Sequence, residues 1–178
     1  MIRRRMSLGI AGSTVVALLA VGSMAQALRA KLNDWTTVQS DEYGFMIAYP
    51  GNVFTPDVAR SREGGHVLVS HDGRAKLLVA TFENESNASL EEYRQQLIIE
   101  NYPDAELDFT PVRKKWFVLS GTQGETHFYY RVSFTCGGRY INSWALSYPL
   151  AERKFYDSVV EAVARTYSPG AGRTGECD

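Results

Sequence analysis

Three histidines (His66, His71 and His127) and two cysteines (Cys136 and Cys177) are the residues of this chain best suited to metal binding or nucleophilic chemistry. A metal site needs its ligands around one centre, and no H-x-x-x-H or C-x-x-C spacing is present to build one. His71 falls in a turn and His127 on a separate strand, so no metal and no cofactor is expected. A Cys136–His127 nucleophilic pair fails on parity, because an odd separation along one strand puts the two side chains on opposite faces. No G-x-S-x-G, paired-carboxylate or Walker pattern occurs either. The expectation is a non-catalytic domain rather than an enzyme, the alternative being a hydrolase with an unfamiliar site. The cysteines could pair with each other, closing a loop of about 40 residues for roughly 3 to 4 kcal/mol in the chain-entropy picture. Alternatively Cys136 is a buried free thiol and Cys177 a tail thiol, exposed or bonded to a partner. Both readings stand at this point.

A second constellation comes from a hairpin. If Gly137 and Gly138 form a two-residue loop, Cys136 faces Arg139 and every opposed pair along the two strands follows. One face then carries Phe134, Val132, Tyr130 and Phe128 opposite Ile141, Ser143, Ala145 and Ser147. Large residues meet small ones there, as under a helix. The other face sets Thr135 against Tyr140, Ser133 against Asn142, Arg131 against Trp144, Tyr129 against Leu146 and His127 against Tyr148. Its mixture of aromatic and polar groups suggests a partly solvated sheet face. Tyr129, Arg131 and Trp144 are its candidate binding residues, with the Arg131 guanidinium lying on the Trp144 indole. The charged run Arg113, Lys114, Lys115 before Trp116 reads as a turn between strands rather than a nucleic-acid contact. Asn84-Glu85-Ser86 and Asn87-Ala88-Ser89 match glycosylation acceptors but read as loop and cap chemistry unless the host is eukaryotic.

The elements that position these residues follow from periodicity. Tyr43 to Tyr49 alternates Phe45, Ile47 and Tyr49 on one face and stops at Pro50 and Gly51, as a strand does. Thr55 to Gly65 is polar and reads as an exposed loop. His66–Ser70 and Ala75–Glu83 flank a turn at Asp72 and Gly73. Leu77 to Ala80 leaves no polar face, which predicts a central strand covered on both sides. Ser89 and Glu92 form a capping box ahead of a helix with Leu90, Tyr93, Leu97 and Ile98 on one side, stopped by Pro103. Strands follow from Glu106, over Trp116–Thr122, over Thr126–Cys136 and over Arg139–Tyr148. A last helix after Pro149 places Phe155, Val159, Ala162 and Val163 on one stripe. Residues 169–178, rich in glycine, read as a flexible tail. The order is that of an α+β fold, an antiparallel sheet covered by helices.

Length and composition set the frame. The chain has 178 residues, 44% hydrophobic and 22% charged, which suits one folded domain over residues 28–168. Residues 1–27 read as a signal peptide: Arg3, Arg4 and Arg5, an apolar stretch from Leu8 to Val21, and an A-x-A pattern at Ala25 and Ala27. Cleavage is placed after Ala27, with Ala25 or Ala30 as alternatives. The stretch is short and diluted for a membrane anchor, so no stable membrane span is expected after cleavage. The residues after Arg4 and Arg5 match a twin-arginine signal poorly. Of 19 basic and 20 acidic residues, cleavage removes three arginines and no acid, leaving 16 against 20, a net charge of -4. Such a balance gives nucleic acid no purchase. The expected location is periplasmic or secreted, where disulfides are permitted.

Over Tyr43 to Tyr167 the sequence resembles the Mog1/PsbP-like superfamily, through YGFMIAYP at the first strand, a Gly-containing turn followed by HFYYRV, and INSWALSYP leading into AERKFYDSVVEAVARTY. The resemblance implies a sheet between helices and a non-catalytic role as a small protein-binding or assembly module. Together with the export reading, the expected partner is an unidentified envelope protein or small ligand; the resemblance transfers no contact residue.

Overall fold

The computed structural model describes residues 32–62, 64–173 and 177; residues 1–27, read above as a signal peptide, lie outside them. Among these residues the chain forms ten strands and two α-helices: β1 (Trp35–Gln39), β2 (Met46–Pro50), β3 (Phe54–Pro56), β4 (Gly65–Ser70), β5 (Lys76–Glu83), α1 (Leu90–Asn101), β6 (Glu106–Phe109), β7 (Val112–Arg113), β8 (Trp116–Gln123), β9 (Thr126–Thr135), β10 (Tyr140–Pro149) and α2 (Arg153–Ala164). Strands β3 to β10 make one antiparallel sheet in the order β3-β4-β5-β10-β9-β8-β6, with β7 also on β8, while β1 and β2 pair separately. The α+β architecture is therefore as the periodicity implies. None of the helices is long and apolar enough to cross a membrane.

The long hairpin has the expected register at every opposed pair from Thr135–Tyr140 to His127–Tyr148. Its loop bends through three successive positive φ angles, 52° at Cys136, 68° at Gly137 and 103° at Gly138. The two glycines accept this freely, and Cys136 is the residue carried out of strand alternation.

Two cores lie on opposite faces of the sheet. Under α1, Leu97 meets Phe117, Leu119, Phe128, Val132, Phe134 and Ile141. Under α2 and β2, the larger core joins Phe45, Ile47, Leu68, Leu77, Val79, Trp144, Leu146 and Tyr148 to Tyr156, Val159, Val160 and Val163. This corrects the reading of the second hairpin face: it is not solvated along β10, where Trp144 and Leu146 are 0% exposed. Its polar members are instead tied together inside. Asn142 Oδ1 accepts from Thr81 Oγ1 at 2.7 Å and from the Gly170 amide at 2.6 Å, and Asn142 Nδ2 donates to Thr135 Oγ1 at 2.9 Å. Polar residue types had signalled water where they mark a buried network.

Other differences are local. β1, whose side chains are mostly exposed, pairs with β2 although its sequence reads as polar lead-in. Phe54–Pro56, at the start of the expected loop, pairs with Leu68–Ser70. β5 is central, yet its second side is only partly covered: Leu78 and Phe82 are about 40% exposed, and Phe82 meets α1 through Tyr93. In α2 the buried stripe begins at Tyr156 in place of Phe155.

Cys136 and Cys177 form a disulfide with Cα atoms 5.0 Å apart. Strand alternation alone would put Cys136 on the face of Phe134, under α1; its left-handed backbone takes it out of that alternation. From Ser168 to Gly172 the chain is held by contacts: Ser168 exchanges backbone hydrogen bonds with Met46, Gly170 O accepts from Thr135 Oγ1 at 2.6 Å, and the Gly172 amide donates to Tyr43 O. A side chain on Gly170 would overlap the Tyr43 carbonyl, so only glycine lets the backbones approach this closely.

Candidate functional site

The register of β7 to β10 lines up four residues on one face of the sheet. Arg113 opposes Trp116, Trp116 lies diagonally from Arg131 across the β8–β9 ladder, and Arg131 opposes Trp144. The Arg131 guanidinium carbon lies 4.8 Å from the centre of the Trp116 ring, and that of Arg113 lies 5.8 Å from it. Two cations therefore share one indole, and among the described residues neither has a carboxylate within ion-pair distance. Lys114 and Lys115 form the exposed turn between β7 and β8 and line a separate groove with Glu83, Glu85 and Phe134.

The expected residues are adjacent, though not in the expected roles. Arg131 and Tyr129 are half-buried, whereas Trp144 is fully buried and forms the floor. Arg131 rests on Trp116, not on Trp144. Trp144 leans the other way, its ring 4.9 Å from that of Tyr129 and 6.2 Å from that of Tyr167, where it joins the core under α2. Burial raises the Tyr129 phenol pKa, a shift opposed by the Arg131 charge. Trp116 and Arg113 were missed as site residues because they read as a charged turn. Carrying the hairpin argument one strand further, through the Gly124–Glu125 turn, would have found them.

Three donors in this cluster are shut off from solvent without a hydrogen-bond partner among the described residues: Arg131 Nε, Trp144 Nε1 and Tyr167 Oη. A buried N–H or O–H ordinarily has an acceptor, because leaving one unpaired costs about 1 to 3 kcal/mol. The accessible charge of the cluster is that of the two arginines on Trp116.

The histidines occupy three separate places. His66 sits edge-on to Phe45, His71 is exposed in the β4–β5 turn, and His127 is buried on β9. His127 Nε2 is 3.3 Å from Ser120 Oγ and Nδ1 is 3.1 Å from Thr122 Oγ1. The ring borders a cavity of about 430 Å³ whose rim includes Asp108, Arg153 and Asp157. Tyr148 donates to Asp157 at 2.6 Å, and Arg153 bridges Asp157 and Asp108. Burial lowers the His127 pKa, and the Arg153 charge adds to the shift, so the ring is neutral at ordinary pH. Asn84, in the first acceptor-like tripeptide, is spent on structure, its Nδ2 donating to the Ala88 and Gly138 carbonyls.

Solved structures with the same arrangement include cyanobacterial PsbP (CyanoP) from Synechocystis sp. PCC 6803, with a TM-score of 0.54 at 18% identity, covering 76% of this chain and 92% of that one. The Saccharomyces cerevisiae Ran-binding protein Mog1p matches with a TM-score of 0.53 at 9% identity, over 76% and 95% of the two chains. This is a Mog1/PsbP-like fold. At these identities the likeness shows the fold alone. No protein-family model matches the chain, and no curated protein matches its sequence.

Proposed function

We propose that this chain is an exported, non-catalytic binding domain that engages a protein partner at the cell envelope through the face built on Trp116 and Arg131. The observation that carries the reading is the pair of guanidinium groups stacked on Trp116 without a carboxylate partner among the described residues. Arginine and tryptophan at a partly desolvated surface are the residue types that dominate binding energy at protein interfaces. The fold is shared with a protein named for binding Ran, which supports a protein-binding role. The Cys136–Cys177 disulfide suits an oxidising compartment, in keeping with the signal-peptide reading of residues 1–27.

The test is capture of envelope proteins by the mature domain after cross-linking, with Arg131→Ala as the comparison. The reading expects a partner retained by the wild type and lost by the variant. Undiminished capture by the variant overturns the assigned face. Mass measurement of the exported protein tests export separately, cleavage after Ala27 giving a chain that starts at Leu28.

A second reading, a hydrolase, is favoured by the Ser120–His127 pair beside a cavity. Against it, the atom that would orient the imidazole is a threonine hydroxyl, and the carboxylate Asp157 is engaged by Tyr148 and Arg153. Turnover of ester, glycoside or peptide substrates that is lost in His127→Ala or His66→Ala would replace the binding reading with this one.

A further inference from the structure

The proposed face also carries information about the chemistry of its partner, an inference that rests on the binding reading above. We infer that the Trp116 platform recognises carboxylates, and that its partner presents an acidic segment with an aromatic or apolar side chain among the acids.

Charge points this way first. The mature domain has a net charge of -4 by the count above, yet Arg113 and Arg131 bring two cations onto one indole. Neither has an ion pair among the described residues, while arginines elsewhere do, including Arg74 with Asp72 and Arg153 with Asp108. Gathering like charges without a counter-charge costs free energy that an incoming anion relieves. Arginine supplies planar, forked donors that match a carboxylate.

The floor of the site is closed and aromatic: Trp144, fully buried, holds its indole against Tyr129 and Tyr167. The aromatic walls of Trp116 and Tyr129, both partly exposed, favour an apolar group beside the acid. A carboxylate on a partner protein and a free phosphate share this oxyanion chemistry. The length of the row, from Arg113 on β7 to Arg131 on β9, fits several acids along a segment better than one small anion.

The experiment uses the mature, oxidised domain and a short fluorescent peptide of glutamates around one phenylalanine, followed by anisotropy. Saturable binding is expected. It should weaken roughly tenfold or more in Arg131→Gln, as for loss of a charged hydrogen bond. Arg113→Gln should weaken it several-fold, and added salt should weaken it throughout. Thermal midpoints establish that each variant is folded; Arg113, being exposed, keeps the test decisive if Arg131→Gln is not. Absence of saturable binding, equal binding by Arg113→Gln and wild type, or equal binding of a lysine-for-glutamate peptide overturns the inference. So does displacement by inorganic phosphate at concentrations equal to the peptide's, which would assign the site to a free anion, or tighter binding to anionic lipid vesicles than to the peptide. If Arg131→Ala abolishes partner capture while the peptide fails to bind, this inference falls and the binding face stands.

Discussion

Trp144 and Arg131 oppose each other in the same ladder yet contribute in different ways. Trp144 is surrounded by the core under α2, so Trp144→Ala leaves a cavity that neighbouring strands cannot close. Denaturant curves should show a loss of about 3 to 5 kcal/mol. Arg131→Ala removes a stacked, unpaired cation at a partly exposed position and should cost less than about 1 kcal/mol. Similar losses for the two would mean that Arg131 belongs to the core, not to a recognition face. His127 makes a residue-scale prediction about pH. Its pKa is lowered from 6.5 by burial and by Arg153, with Asp108 and Asp157 acting the other way. The unfolded chain therefore binds the proton first, and stability falls as pH drops below about 6.5. His66, also lowered by burial, contributes in the same direction. Unfolding free energies measured either side of that pH should show a shallower dependence in His127→Asn than in the wild type, and an unchanged slope would remove the assignment.

At the scale of elements, what could be read in the sequence was what short-range chemistry specifies. Ser89 accepts from the Glu92 amide and Glu92 returns to the Ser89 amide at 2.8 Å, the reciprocal pair that the spacing implies. Ser89→Ala should lower stability by about 1 kcal/mol, readable as a shift in denaturation midpoint. The hairpin register was legible for the same reason, since loop length alone fixes every pair. The segment after Ser168 was not, because its partners lie far off in sequence: Asn142 and Thr135, 28 and 35 residues before Gly170, and Tyr43 on the other side of the sheet sequence. Glycines that read as looseness instead permit close approach. The disulfide completes this attachment across 41 residues. Cys177→Ser should therefore cost roughly 3 to 4 kcal/mol in thermal or chemical unfolding, and denatured, unreduced wild type should show no free thiol. Two reactive thiols would contradict the bond.

For the molecule as a whole, the sheet divides its apolar residues between two unequal cores, and composition carries no label for which face each helix covers. Alternation assigned Phe128, Tyr130, Val132 and Phe134 correctly to the face under α1, but gave no warning that α2 and β2 would close over Trp144 and Tyr148 on the other. The inequality has a dynamic consequence. α1 buries only Leu97 fully and rests on the sheet through partly exposed Leu90, Tyr93 and Ile98, whereas α2 buries Tyr156, Val159, Val160 and Val163. An element with less buried apolar surface opens at lower free energy than the global transition. Amide hydrogen exchange should find α1 exchanging through a partial opening of low denaturant dependence, while α2 exchanges together with β5, β9 and β10 in the global unfolding step. Reduction of the disulfide should lower the protection of α2 and the central strands. It should leave the gap between the two helices smaller, because the partial opening of α1 does not require the Cys136–Cys177 bond to break. Equal protection of α1 and α2 in the oxidised protein would show instead that the two cores unfold as one unit.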